Sequence, residues 1–120
     1  MRSKRTLTTT LLTAAVVMLV PTAALSATKT VMARGDSWDP RRVEIRRGDT
    51  VRWTNPSNSI RIHTVTSASN NWSKSTQLTP GSSTSKRFRE TGTYRFRCLE
   101  HSVMVGRQCD GMCGVITVTR

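Results

Sequence analysis

The sequence predicts an all-β domain, and three observations support this. Short segments alternate apolar and polar residues at period two, turn-forming residues separate these segments, and no stretch has a convincing helical period. The chain has 120 residues, which is enough for one domain but too few for two ordinary ones. Several short strands with turn-rich connections favour a β-sandwich, in which one sheet packs against another.

The first 27 residues are predicted to be a secretory signal peptide. Basic residues precede a largely apolar run over residues 7–20, and small residues follow this run. That order is typical of a signal peptide, and we expect cleavage after Ser26 or Ala27. The run is too short to span a bilayer comfortably, which takes about 20 residues. We therefore expect no transmembrane anchor, and an exported domain at 28–120 that is secreted or held in the periplasm or cell-wall space.

The domain is strongly basic. The full chain has a formal charge of +12, and loss of Arg2, Lys4 and Arg5 with the leader would leave +9. Such a charge favours attraction to an anionic cell surface or to an acidic protein partner. The arginines are scattered along strand-like segments rather than gathered in a nucleic-acid-binding motif, so no nucleic-acid partner is expected. We expect a monomer.

The first pair of strands is predicted within RRVEIRRGDTVRWTN. Val43 and Ile45 alternate with charged residues, a Gly-Asp turn follows, and Val51 and Trp53 resume the alternation. This pattern is typical of two half-buried strands.

The next strand is predicted within IRIHTVTS, between the turn-rich segments NPSNS and SASNN. Ile60 and Ile62 are expected on one side of this strand, with Arg61, His63 and Val65 on the other.

The last two strands are predicted near the C-terminus. After the turn-rich LTPGSSTS, Phe88 precedes a Thr-Gly turn, and Tyr94, Phe96 and Cys98 then alternate with polar residues. The apolar GVITVTR closes the chain. Its composition and alternation indicate a final core strand.

Candidate metal ligands gather in the segment CLEHSVMVGRQCDGMCG, which holds all three cysteines. Cys98 and His101 are separated by two residues, so both can reach one ion from a single turn, and such ligands suit copper or zinc. His63 lies on a different predicted strand, which closure of the sandwich could bring near. Met104 or Met112 could add a thioether, a soft and weak ligand that favours copper.

These motifs resemble those of the cupredoxins, the plastocyanin/azurin-like small blue copper proteins of bacteria. The resemblance runs from about residue 31 to residue 119, and GTYRFRCLEH and GMCGVITV are its most specific stretches. It implies a Greek-key β-sandwich with one type 1 copper ion. It also implies that His63, Cys98 and His101 are ligands and that Met112 is the axial thioether.

The sequence departs from the family at one place. Ten residues, 102–111, separate His101 from Met112, whereas the spacing in plastocyanin-like members is much shorter. We interpret the extra residues as a flexible inserted loop. Met104 lies within it at His-x-x-Met spacing and is therefore an alternative axial ligand, and a site without a thioether is a third option. We favour Met112 because it directly precedes the final strand.

The remaining cysteines allow two interpretations. With Cys98 bound to copper, Cys109 and Cys113 would form a disulfide that ties off the inserted loop and holds Met112 toward the metal. Alternatively, all three cysteines and His101 would form a closed structural zinc site. The zinc interpretation requires three reduced thiolates outside the cell, where disulfides persist.

The expected function is one-electron transfer between redox partners through Cu(I) and Cu(II), with a redox protein as partner. No nucleophile–base pair or carboxylate pair is evident in the sequence, so we do not expect an enzyme. Copper storage, delivery or sensing is the alternative, and Met32 and Met104 would serve Cu(I) delivery if they were exposed.

Overall fold

The computed structural model describes residues 10–23 and 25–120, and this part of the chain forms nine strands. The strands are β1 (Thr28–Arg34), β2 (Ser37–Asp39), β3 (Arg42–Arg46), β4 (Thr50–Thr54), β5 (His63–Ser67), β6 (Ser75–Leu78), β7 (Ser83–Arg87), β8 (Gly92–Val105) and β9 (Gln108–Thr119). Residues 10–23 have no regular secondary structure. The basic start of the predicted leader lies outside the described residues. Among those described, no helix is long and apolar enough to cross a membrane.

The strands form two sheets that pack face to face. One has the order β2-β1-β4-β7, and the other has the order β3-β9-β8-β5-β6. Most neighbouring strands are antiparallel, but β1 with β4 and β3 with β9 are parallel pairs. Parallel neighbours require connections that cross between the sheets rather than simple hairpins. The structure thus confirms the predicted all-β Greek-key sandwich.

The core lies between the sheets and is built from alternate strand residues. Its side chains that are at most 1% exposed include Val31, Trp38, Val51, Trp53, Val65, Leu78, Phe96 and Ile116. Aromatic rings link the core to the edge that holds His63. The ring centroid of Trp38 lies 6.2 Å from that of His63 and 5.7 Å from that of Phe96. Close packing of this kind restricts ring movement and so fixes the orientation of His63.

The strands β1 and β2, at the start of the domain, are not among those predicted from the sequence. In β1, Val31 and Ala33 are buried and their neighbours are partly or fully exposed. That alternation is visible in TKTVMAR, but it covers only two strongly apolar positions. The strand is stabilised by parallel pairing with β4, a long-range contact that no local pattern indicates.

The prediction that Ile60 and Ile62 belong to a strand is wrong. The strand β5 begins at His63, and the side chain of Ile60 is 94% exposed. The buried amide of Asn55 donates hydrogen bonds to the carbonyl oxygens of Arg61 (2.8 Å) and Leu78 (3.0 Å). These bonds hold the preceding segment as a loop. The inward positions of His63 and Val65 are confirmed.

The predicted flexible loop after His101 is instead a regular β-ribbon. Strands β8 and β9 continue pairing through Ser102↔Gly111 and Met104↔Cys109, and Gly106 with a φ of 62° forms the turn. We call residues 102–110 the ribbon.

The ribbon lies over the outer face of the five-stranded sheet. Met104 and Arg107 from the ribbon line one cavity together with Ala68, Asn70 and the sheet residue Arg95. Because Arg95 lies well before Cys98 and His101 in β8, the ribbon must turn back along the sheet rather than extend away from it.

Candidate metal centre

Three predicted ligands meet at one end of the sandwich. The ligand atoms of His63, Cys98 and His101 all lie within 4.8 Å of one another. The Cys98 Sγ atom is 3.8 Å from His63 Nδ1 and 3.4 Å from His101 Nδ1. His63 and Cys98 are fully buried, whereas His101 is partly exposed. A thiolate and two imidazole nitrogens this close form a donor set suited to copper.

An irregularity in the strand pairing creates this geometry. Arg97 pairs with Cys113 and Ser102 pairs with Gly111, so four residues of β8 face the single residue Met112 of β9. The extra residues form a bulge, which redirects side chains that a regular strand would place alternately on both faces. This is how Cys98 and His101 can point to the same place.

The opposite strand approaches the bulge so closely that one position requires glycine. Gly111 has a φ of 98°, a conformation that side-chain-bearing residues rarely adopt. A Cβ atom there would also collide with the backbone carbonyl of His101. Gly111 therefore allows β9 to run against the ligand segment and deliver Met112 beside it.

The two candidate thioethers lie in different surroundings. Met112 is 0% exposed and belongs to the same buried cluster as Cys98. Met104 is partly exposed and lines the cavity beneath the ribbon, whose lining does not include His63, Cys98 or His101. These placements favour Met112 over Met104 as the residue that would supply a thioether to a bound copper ion.

Thr64 holds the cysteine in place, a role that the sequence analysis did not predict. Its backbone amide donates a hydrogen bond to Cys98 Sγ at 3.3 Å, and its hydroxyl oxygen accepts one from the Leu99 amide at 2.9 Å. The first bond stabilises negative charge on the sulfur, and the second joins β5 to the bulge. Its position directly after His63 is the only signal in the sequence.

A charged pair next to His101 was also not predicted. Asp36 lies in the turn between β1 and β2, and its Oδ1 atom is 3.4 Å from His101 Nε2. The guanidinium of Arg61 binds both oxygens of the same carboxylate, at 2.8 and 3.0 Å. The outer nitrogen of His101 thus faces a carboxylate that Arg61 orients.

The structure confirms the predicted disulfide. Cys109 and Cys113 are bonded to each other, with their Cα atoms 6.1 Å apart. The bond joins the ribbon to β9 at the residue after Met112. It also removes two thiolates that the structural zinc interpretation requires, and the metal-ligand cluster contains His63 in their place.

Sequence comparison identifies the family to which this site belongs. A family model described as copper binding proteins of the plastocyanin/azurin family matches residues 24–119. The chain is a member of that family. No curated protein matches the chain significantly by sequence.

Solved structures agree with this cupredoxin fold. A reduced amicyanin variant has a TM-score of 0.62 and 22% identity, covering 74% of this chain and 79% of its own. A second amicyanin variant has a TM-score of 0.63 and 22% identity, with coverages of 81% and 86%. A purple cupredoxin from Nitrosopumilus maritimus has a TM-score of 0.57 and 22% identity, with coverages of 75% and 98%. Together with the His-Cys-His cluster, the family establishes copper as the cofactor and blue-copper electron transfer as the function.

Burial prepares His63 of this cupredoxin for coordination. Burial, and secondarily the nearby His101, lower the pKa of His63 below its ordinary value of 6.5. The imidazole is therefore neutral at pH 7, with a lone pair available to a metal.

The lowered pKa predicts how the stability of the copper-free protein depends on pH. His63 of the unfolded chain binds a proton near pH 6.5, whereas the folded protein resists protonation to lower pH. The unfolded state therefore binds more protons in this window, so the free energy of unfolding should fall as pH drops below about 6.5. Thermal unfolding between about pH 7.5 and pH 5.5 measures this, and His63→Gln should show a shallower dependence. Equal dependence in both proteins would contradict the prediction.

Proposed function

We propose that this cupredoxin is an exported electron carrier in which His63, Cys98, His101 and Met112 hold one copper ion. The observation that carries the proposal is the buried His-Cys-His cluster, whose ligand atoms lie within 4.8 Å of one another. Met112 faces the same bulge from β9. Bound copper would supply a one-electron Cu(I)/Cu(II) couple at this position.

The chain's own contribution is a site that changes little between the oxidation states. His63 and Cys98 lie on paired strands of one sheet. Thr64 links the two ligand segments, and the disulfide fastens β9 after Met112. Because these contacts fix the donors before the electron moves, little rearrangement is required when it does.

We place the exchange of electrons at the exposed edge of His101. The His101 side chain is 19% exposed. Apolar side chains at the same end of the sandwich are also exposed: 45% for Ile62, 42% for Leu99 and 59% for Val103. Apolar surface of this kind is typical of a contact site for another protein. A redox protein that docks here would approach the buried donors through a single imidazole ring.

Asp36 is expected to tune the reduction potential. Its negative charge beside His101 stabilises Cu(II) more than Cu(I), and its removal also leaves Arg61 unpaired. We predict that Asp36→Asn raises the potential by about 20–60 mV, measured by protein-film voltammetry. The control is Glu90→Gln, which removes the same charge before the start of β8, at the far end of the sheet from the bulge. Equal shifts in both variants would contradict a local effect of Asp36.

Copper delivery or storage is the competing function. Met32 and Met104 are both partly buried, and only Met104 lies in the ribbon. The test is repeated oxidation and reduction of the copper-loaded protein in the presence of a Cu(I) chelator. A carrier should retain its copper through many cycles, whereas loss of Cu(I) in the first cycles would favour delivery.

Export and the absence of enzyme activity belong to the same proposal. The leader pattern of the sequence and the Cys109–Cys113 disulfide support an extracytoplasmic location. Members of this family typically carry electrons rather than transform substrates, which supports a carrier function. N-terminal sequencing of the secreted protein tests the predicted cleavage after Ser26 or Ala27.

A further inference from the structure

A cluster of arginines lies on the outer face of the five-stranded sheet. The strand register places Arg42, Val115 and Arg95 in one row across β3, β9 and β8. Arg97 pairs with Cys113 in the next row toward the copper end. Their strand neighbours Val43, Tyr94 and Phe96 point into the core, so alternation directs the arginine side chains outward.

The ribbon converts this surface into a cleft. A cavity of about 520 Å³ is lined by Arg41, Arg42, Arg95 and Val115, with Cys109 and Cys113 along one side. Its lining therefore combines three arginines with the disulfide that staples the ribbon to the sheet. The cleft is distinct from the exposed edge of His101.

The three cleft arginines lack acidic partners within the described part of the chain. The ion pairs found there involve Arg34, Arg61 and His101. Arg41 donates one hydrogen bond, to the Cys113 carbonyl at 3.4 Å. Guanidinium groups gathered without counter-charges repel one another, and each presents a forked set of donors that matches a carboxylate. The cleft is therefore suited to an anionic ligand that supplies several carboxylates.

We propose that this cleft docks acidic side chains of the electron-transfer partner. The inference rests on the proposed function, because a carrier must bind another protein repeatedly and briefly. The charge of +9 after loss of the predicted leader steers an acidic protein toward this surface. The position is also appropriate, since Cys113 follows Met112 directly and Arg95 lies three residues before Cys98.

The test uses the copper-loaded mature protein, reduced to Cu(I) for NMR. The probe is a synthetic peptide of consecutive glutamates, and inorganic phosphate is titrated in parallel at the same ionic strength. We expect peptide-induced shifts centred on Arg41, Arg42 and Arg95. Arg42→Gln combined with Arg95→Gln should weaken peptide binding by about tenfold or more.

The control pair is Lys29→Gln with Arg52→Gln, which removes the same charge from the four-stranded sheet. It should weaken binding by less than about twofold. Equal losses in both pairs would overturn the proposal, because net charge alone would then explain binding. Phosphate that binds as tightly as the peptide would also overturn the proposal, in favour of a small-anion site. Binding of the protein to anionic vesicles without binding to the peptide would overturn it as well.

The visible spectrum keeps this test separate from the proposed function. Both variant pairs should retain the wild-type copper band and reduction potential, because none of the four residues lies in the ligand set. If the wild-type protein forms no such band, electron transfer fails as a function. Peptide binding by the copper-free protein then tests on its own whether the cleft binds acidic side chains.

Discussion

Replacing Cys98 with Ser should abolish the intense visible absorption band of the copper-loaded protein. The band requires a thiolate bound to copper, and serine offers only a hydroxyl that stays protonated at neutral pH. Cys98 is the free cysteine in the structure, and its sulfur faces His63 and His101. Optical and electron-spin spectra after addition of Cu(II) measure the loss. We expect complete loss of the band in a variant that still folds.

The other cysteines supply the matched control. A double variant, Cys109→Ser with Cys113→Ser, should retain the band, because these residues bind each other rather than the metal. It should unfold more readily than the wild-type protein, since a stabilising cross-link is lost. Loss of the band in this variant together with retention in Cys98→Ser would contradict the assignment of Cys98 as the copper thiolate.

Replacing Met112 with Ala should raise the reduction potential and lower stability. A thioether donates electron density that stabilises Cu(II), so its removal favours Cu(I). Met112 is also fully buried, and truncation of a buried methionine to alanine costs about 2–5 kcal/mol. Voltammetry and chemical denaturation measure the two effects separately.

Met104→Ala is the matched comparison for the axial ligand. Met104 is partly exposed and lines a cavity with Ala68 and Arg95, so its truncation should leave the potential and the visible spectrum unchanged. If Met104→Ala shifts the potential and Met112→Ala does not, the axial assignment is reversed. If neither variant shifts it, the site has no thioether ligand.

The sequence alone predicted the sandwich, the disulfide and the three residues, His63, Cys98 and His101, that the structure brings together. Strand alternation at period two reports burial on one face, so inward positions such as Val51, Trp53 and Phe96 could be assigned locally. Cys98 and His101 are close enough in the chain to share an ion, and the family motif added His63. The same reasoning failed at Ile60, because a buried side chain, Asn55, holds that segment outside the strand.

Only the tertiary structure determined how distant segments meet at the site. Asp36 approaches His101 because the turn between β1 and β2 lies at the copper end, and no periodicity encodes that contact. The register of β9 against the bulge places Met112 in the buried cluster with Cys98, whereas Met104 lies in the ribbon. The arginine cleft exists because the ribbon turns back over the sheet. Local patterns specify which face a residue occupies, whereas strand register and chain crossing specify its neighbours.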